Sequence, residues 1–221
     1  HAFYALPLPA HSRILTCEAE YAANYVAFLQ RAKKENLKIE VVPSDATGAI
    51  DLVALEATMG PDVGLIAITW IPTNGGLVNP AAQVGAIARK HGVPYLLDAC
   101  QAAGQLPMDV NVLGCDFLSA TGRKFLRGPR GTGFLYVSET WLDKLEPAMI
   151  DHFGAPWVAR DRYELREDAR RFETWENSYA LRAGLGAAFD YMDALGIDAI
   201  AARVGGLAQQ CRERLQELPK V

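Results

Sequence analysis

Val93-Pro94-Tyr95-Leu96-Leu97-Asp98-Ala99-Cys100-Gln101 decides the fold, because it is an apolar run of strand length that stops on a carboxylate. A run of this kind without polar alternation predicts a strand buried on both faces, as in a parallel sheet. The segment before it carries helix punctuation. Asn79 can cap, Pro80 suits the first turn, Val84, Ile87 and Ala88 form an apolar stripe, and Gly92 supplies the stop. The same alternation runs back toward the start. Strand-like Ile14 to Cys17, a helix from about Glu18 to Lys34, Ile39 to Val42, a short helix near Asp51 to Met59 and Leu65 to Thr69 together predict an α/β fold, a mostly parallel sheet flanked by helices.

Downstream, a strand over Asp116 to Ser119 leads into Thr121-Gly122-Arg123-Lys124, and Gly131-Thr132-Gly133 leads into the strand Phe134 to Val137. Asp98 and Lys124 thus both follow strand C-termini, the edge where open α/β sheets bind ligands. Ala159 to Arg171 is densely charged and reads as surface, and Tyr179 to Leu195 and Ile197 to Leu218 read as two helices split at Gly196.

Composition narrows the function classes. The net charge is −4, with 22 basic and 26 acidic residues dispersed along the chain, so no footprint for nucleic acid or an anionic membrane is expected. No apolar run approaches a bilayer span. Cys17, Cys100, Cys115 and Cys211 stand far apart with no paired spacing, which argues against a zinc site or a disulfide framework and fits a reducing cytoplasm. The start, His1-Ala2-Phe3-Tyr4-Ala5-Leu6, lacks the pattern of a signal peptide. A small-molecule enzyme is the expectation.

Asp98, Thr121, Arg123 and Lys124 form a set suited to pyridoxal phosphate (PLP). That chemistry needs a lysine amine, an acid facing the pyridine nitrogen and donors for a phosphate. Taken singly, each residue has a plainer reading: Asp98 as a cap for the residues after it, and Lys124 as part of a basic surface loop with Arg123, Arg127 and Arg130.

The order of motifs adds to this. Asp98-Ala99-Cys100-Gln101, Gly114-Cys115-Asp116-Phe117, Thr121-Gly122-Arg123-Lys124 and Gly128-Pro129-Arg130-Gly131-Thr132-Gly133, with Val78-Asn79-Pro80 and Arg171-Phe172-Glu173, resemble the class V aminotransferase group, which includes cysteine desulfurases, selenocysteine lyases and isopenicillin N epimerase. The resemblance implies a PLP-transferase large domain. In it Lys124 carries the cofactor as a Schiff base, Asp98 pairs with the pyridine nitrogen and Gln101 donates toward the phenolic oxygen. Thr121 and Arg123 stand where desulfurases place a phosphate-binding serine and histidine. Tyr21 matches the position that stacks on the ring, although core packing alongside Tyr25 and Phe28 is an equally simple reading of that residue. Thr73 occupies a slot where many relatives have asparagine near the cofactor. Glu173-Thr174 departs from the Gly-Thr step that reaches the partner subunit's phosphate in desulfurases.

The wording of Pro72 to Pro80 and of Thr121 to Gly133 is similar to the branch containing ergothioneine-pathway C–S lyases. The resemblance therefore implies C–S bond cleavage on an amino-acid substrate in a homodimer. Transamination, epimerisation, desulfuration or a truncated non-catalytic remnant remain open. It also implies that residues 1–150 hold the sheet and cofactor site and residues 151–221 lead toward a small domain that is absent, so that this chain alone binds cofactor weakly.

Overall fold

A computed structural model describes residues 1–219. Six strands form the sheet: β1 (Arg13–Cys17), β2 (Lys38–Val42), β3 (Val63–Thr69), β4 (Tyr95–Asp98), β5 (Phe117–Thr121) and β6 (Gly133–Val137), in the order β2-β1-β3-β4-β5-β6. The first five are parallel, and β6 returns antiparallel to β5. The helices are α1 (Ala2–Ala5), α2 (Ala22–Glu35), α3 (Leu52–Thr58), α4 (Ala81–His91), α5 (Val110–Leu113), α6 (Glu139–Leu142), α7 (Tyr179–Leu195) and α8 (Ile197–Gln216). A two-stranded hairpin of β7 (Trp157–Ala159) and β8 (Arg162–Tyr163) stands apart from the sheet. No helix among the described residues is long and apolar enough to cross a membrane.

The apolar pattern of the strands explains why both sheet faces are covered. Along β3 the period of two sends Ile66 and Ile68 into one buried cluster with Leu55 of α3 and Val84 and Ala88 of α4. Leu65 and Ala67 go into a second cluster with Phe3 of α1 and Phe28 of α2. Because β2 lies on one side of β1 and β3 on the other, the chain reverses direction across the sheet at β1 and β3. The crevice beyond the carboxyl ends of such strands is the natural ligand position.

Three expectations need correction. The helix placed from Glu18 starts at Ala22, because the Glu20 carboxylate accepts the backbone N–H groups of Tyr21 (2.8 Å) and Thr69 (2.9 Å) and ties its segment to β3. Asn79 does not cap α4, whose N-cap is Pro80. Its buried side chain instead accepts from Ile50 N (3.0 Å) and donates to Thr69 O (2.8 Å), satisfying two interior backbone groups. In the charged stretch 159–171, Arg171 is buried, its guanidinium donating to the carbonyls of Leu142, Leu145 and Arg166. Five N–H donors in a rigid fork suit it to gathering carbonyls from separate segments. The stop at Gly92 is as expected: it adopts φ 66° and donates to Ala88 O and Arg89 O.

One glycine fixes a close approach behind the site. Gly104 has φ 88°, and a Cβ there would lie 2.5 Å from Leu126 N and from Phe125 C and O, backbone atoms of the loop that follows Lys124. Gly104→Ala is therefore expected to lower stability by about 3 kcal/mol, the size typical of a steric and backbone conflict in a packed interior, read as a fall in the urea midpoint.

Candidate active site

The segments that follow β1, β4 and β5 converge on one cleft of about 310 Å³ lined by Tyr21, Asp98, Cys100, Thr121, Arg123, Lys124, Gly131 and Thr132. Parallel register brings this about. Thr69 pairs with Asp98, and Asp98 with Ser119, so residues ending neighbouring strands stand side by side.

Asp98 is 5% exposed, and both of its oxygens hold a donor. Oδ1 accepts from Cys100 N at 2.8 Å and Oδ2 from Asn24 Nδ2 at 2.7 Å. No ion pair to Asp98 exists among the described residues. Burying a carboxylate costs several kcal/mol. Two hydrogen bonds to a charged group, worth about 1.5–3 kcal/mol each, are of the size needed to offset it. A carboxylate also has about four acceptor positions, so Asp98 can still receive a cationic N–H donor from the cleft.

Lys124 is half-buried, and its Nζ stands 5.7 Å from the centroid of the Tyr21 ring. Tyr21 is 40% exposed and caps α2 as a residue outside the core, so its ring is available to the cleft. Arg123 Nη1 donates to Thr121 Oγ1 at 2.9 Å, which puts a guanidinium and a hydroxyl together at the mouth. The loop carrying these residues is tied at its base by Gly122 N to Thr132 O (2.9 Å) and Gly128 N to Gly122 O (2.8 Å). Asp98, Tyr21, Thr121, Arg123 and Lys124, five of the residues singled out from sequence, are thus brought together. Gln101 and Thr73 are not in the lining. Gln101 follows Cys100 on the turn after β4, its carbonyl receiving Gln105 Nε2, and Thr73 is exposed on the loop after β3.

Sequence reading missed Glu20 and Asn24. Asn24 Nδ2 bridges Asp98 and Glu20 Oε1 (2.9 Å), and Glu20 also accepts from Thr69 and Thr16. Burial pushes the Glu20 carboxyl up and the charge of Asp98 adds to the rise, against the pull of its Thr69, Asn24 and Tyr21 donors. The available signal was the four-residue spacing of Glu20 and Asn24 across the first turn of a helix beginning at the sheet edge.

A larger groove of about 950 Å³ lies beyond Gly131 and Thr132, between β6, the 168–178 segment and α7. Arg170 and Arg182 in its wall are already paired with Asp168 and Glu173, and it holds no lysine, so it lacks the reactive set found in the smaller cleft.

The chain belongs to the aminotransferase class-V family, whose model matches residues 2–221; this is a family of PLP-dependent enzymes. It is 34% identical over 218 residues to a cysteine desulfurase of Serratia proteamaculans, a match covering 96% of this chain and 52% of that protein. The apo cysteine desulfurase of Thermococcus onnurineus NA1 superposes with a TM-score of 0.89 at 29% identity, over 96% of this chain and 54% of that one. C-DES, described elsewhere as a cystine C-S lyase, superposes with a TM-score of 0.91 at 25% identity in a mutant with glycine covalently linked to its PLP cofactor, over 99% of this chain and 59% of that one. The chain spans about half the length of the curated relatives it matches.

Cys17 and Cys115 are buried, Cys100 is half-buried in the cleft wall and Cys211 is exposed. Burial, with the charge of Glu20, raises the Cys17 thiol to about 12; burial, with the charge of Asp98, raises Cys100 to about 12; burial raises Cys115 to about 11. At neutral pH a thiol-specific reagent is expected to label Cys211 rapidly, Cys100 slowly from the cleft, and Cys17 and Cys115 only after denaturation, counted by absorbance or mass. All three raised values lie above the ordinary 9.0, so the folded chain holds these protons more tightly than the unfolded chain. Their stabilising contribution is complete below about pH 9 and is lost as pH rises from there through the folded values, so the urea midpoint should fall on the alkaline side of 9.

Proposed function

We propose that this chain is the cofactor-binding part of a PLP-dependent enzyme that acts on an amino-acid substrate and cleaves a C–S bond. The observation that carries the reading is the pairing in one cleft of a buried carboxylate with no ion-pair partner among the described residues, Asp98, with a half-buried lysine, Lys124. Pyridoxal phosphate, when bound, supplies an electron sink at its protonated pyridine ring.

The residues divide the work. Lys124 would hold the cofactor through its side-chain amine, and the same amine could accept or return a proton at the substrate's α-carbon. Asp98 holds the pyridine nitrogen protonated by completing its own unfilled acceptor sites. Arg123 and Thr121 present a fixed positive charge and a hydroxyl to the phosphate, and Tyr21 presents an aromatic face to the ring. For Gln101 at the phenolic oxygen and Thr73 beside the cofactor, the support is the resemblance of their motifs. Among the reactions open to this set, C–S cleavage is favoured by the wording of the Pro72–Pro80 and Thr121–Gly133 segments and by relatives that are desulfurases or a C-S lyase. The reading extends to a homodimer, which would help to cover the exposed Met149, Trp157 and Tyr179, and to a reducing cytoplasm, consistent with free thiols.

Purified chain mixed with PLP should develop a visible absorption band that borohydride converts to a permanent adduct on the peptide containing Lys124. Lys124→Ala should give neither band nor adduct, while Asp98→Asn should weaken cofactor retention by about tenfold or more, the scale expected for losing a charge-assisted contact. A band of equal strength in Lys124→Ala would overturn the assignment.

A further inference from the structure

Asp98 does not hold its geometry alone. Asn24 Nδ2 stands 2.7 Å from Asp98 Oδ2 and 2.9 Å from Glu20 Oε1, so its two hydrogens are shared between two carboxylates. With an acceptor on each side, the amide can present only its nitrogen; turned over, its oxygen would face two carboxylate oxygens. Glu20 is itself fixed from several elements. It accepts the backbone N–H of Tyr21 ahead of α2 and of Thr69 on β3, with the hydroxyls of Thr69 and of Thr16 on β1 alongside. The three N–H groups around it, from Tyr21, Thr69 and Asn24, cannot accept and favour its ionised form, against the burial and the Asp98 charge that push its carboxyl up. Thr16 and Thr69 are buried, while Glu20 and Asn24 are half-buried. The other titratable groups near the bridge are Cys17 and Tyr95 on the interior side, Tyr21 ahead of α2, and Cys100 and Lys124 on the cleft side of Asp98.

We propose that Glu20, acting through Asn24, is a positioning residue that keeps Asp98 ionised and aimed at the cofactor's ring nitrogen. The inference rests on the PLP reading above. With glutamine at position 20, the new amide could offer a hydrogen to Asn24. The Asn24 side chain could then turn its oxygen toward Asp98, a geometry that favours a protonated Asp98 and removes the partner a pyridinium needs. Glu20 never touches the cofactor in this arrangement. It works as the outer partners of metal ligands do, by setting which atom the inner group presents.

The test uses PLP labelled with ¹⁵N at the ring nitrogen, bound to the wild-type chain, to Glu20→Gln and to Asn24→Ser. The nitrogen resonance reports ring protonation directly, and titration of the visible band gives affinity. The wild type should show a protonated ring nitrogen. Both variants should show the signal displaced toward the neutral form, with affinity about tenfold weaker, in the range typical of outer-partner substitutions. A purely structural role for Glu20 would weaken binding and leave the resonance of the bound cofactor in place, and that result would overturn the proposal. If Glu20→Gln does not fold, Asn24→Ser decides, since it breaks the same bridge while leaving the Glu20 contacts to β1 and β3. Absence of any visible band in the wild type would instead remove the PLP reading and this inference with it, an outcome distinct from a bound cofactor with an unmoved resonance.

Discussion

A carboxylate at the buried end of a strand is the constraint around which this molecule is arranged. Asp98 occupies the C-terminus of β4 with two donors and no cation among the described residues, in surroundings that penalise charge. Neighbouring features can be understood as compensation. The turn after β4 supplies an N–H from Cys100, the first turn of α2 supplies the Asn24 amide, and the parallel register brings Thr69 of β3 alongside to hold Glu20. A side chain that would destabilise an isolated strand thereby becomes a fixed electrostatic feature of the cleft.

The architecture was legible to the extent that burial leaves a periodic trace. Uninterrupted apolar runs at 65–69 and 93–97 and the helical stripe ending at Gly92 follow directly from two-sided burial and from capping, and the strands and helices lie close to where those patterns put them. Where a polar side chain turns inward to serve backbone groups far away in sequence, pattern reading fails. Asn79 has the composition of a cap, yet it is spent on Ile50 and Thr69. Arg171 sits in a charged stretch, yet it is buried on three carbonyls. Nothing local in sequence distinguishes these roles, because the partners come together only after the sheet forms.

The cleft shows the same division. Asp98, Thr121, Arg123 and Lys124 could be singled out because each follows a strand end within a motif of recognisable order, and Tyr21 through its place ahead of α2. Glu20 and Asn24 carry only their four-residue spacing, and a glutamate before a helix and an asparagine in its first turn are ordinary N-terminal residues. What distinguishes them is a second carboxylate arriving from β4, a contact 74 residues away along the chain for Asn24. Gln101 and Thr73 show the converse, since their motifs point to the cofactor while their positions here lie outside the cleft lining.

The antiparallel return of β6 has a kinetic meaning for the lysine loop. Thr121 and Gly133 are paired across the two strands, so the intervening segment leaves and rejoins the sheet at the same edge and is cross-tied just inside that point. Its closure entropy is met once, during folding, rather than at each encounter with a small molecule. Lys124 can therefore swing on its own flexible stem while the backbone beneath it stays still.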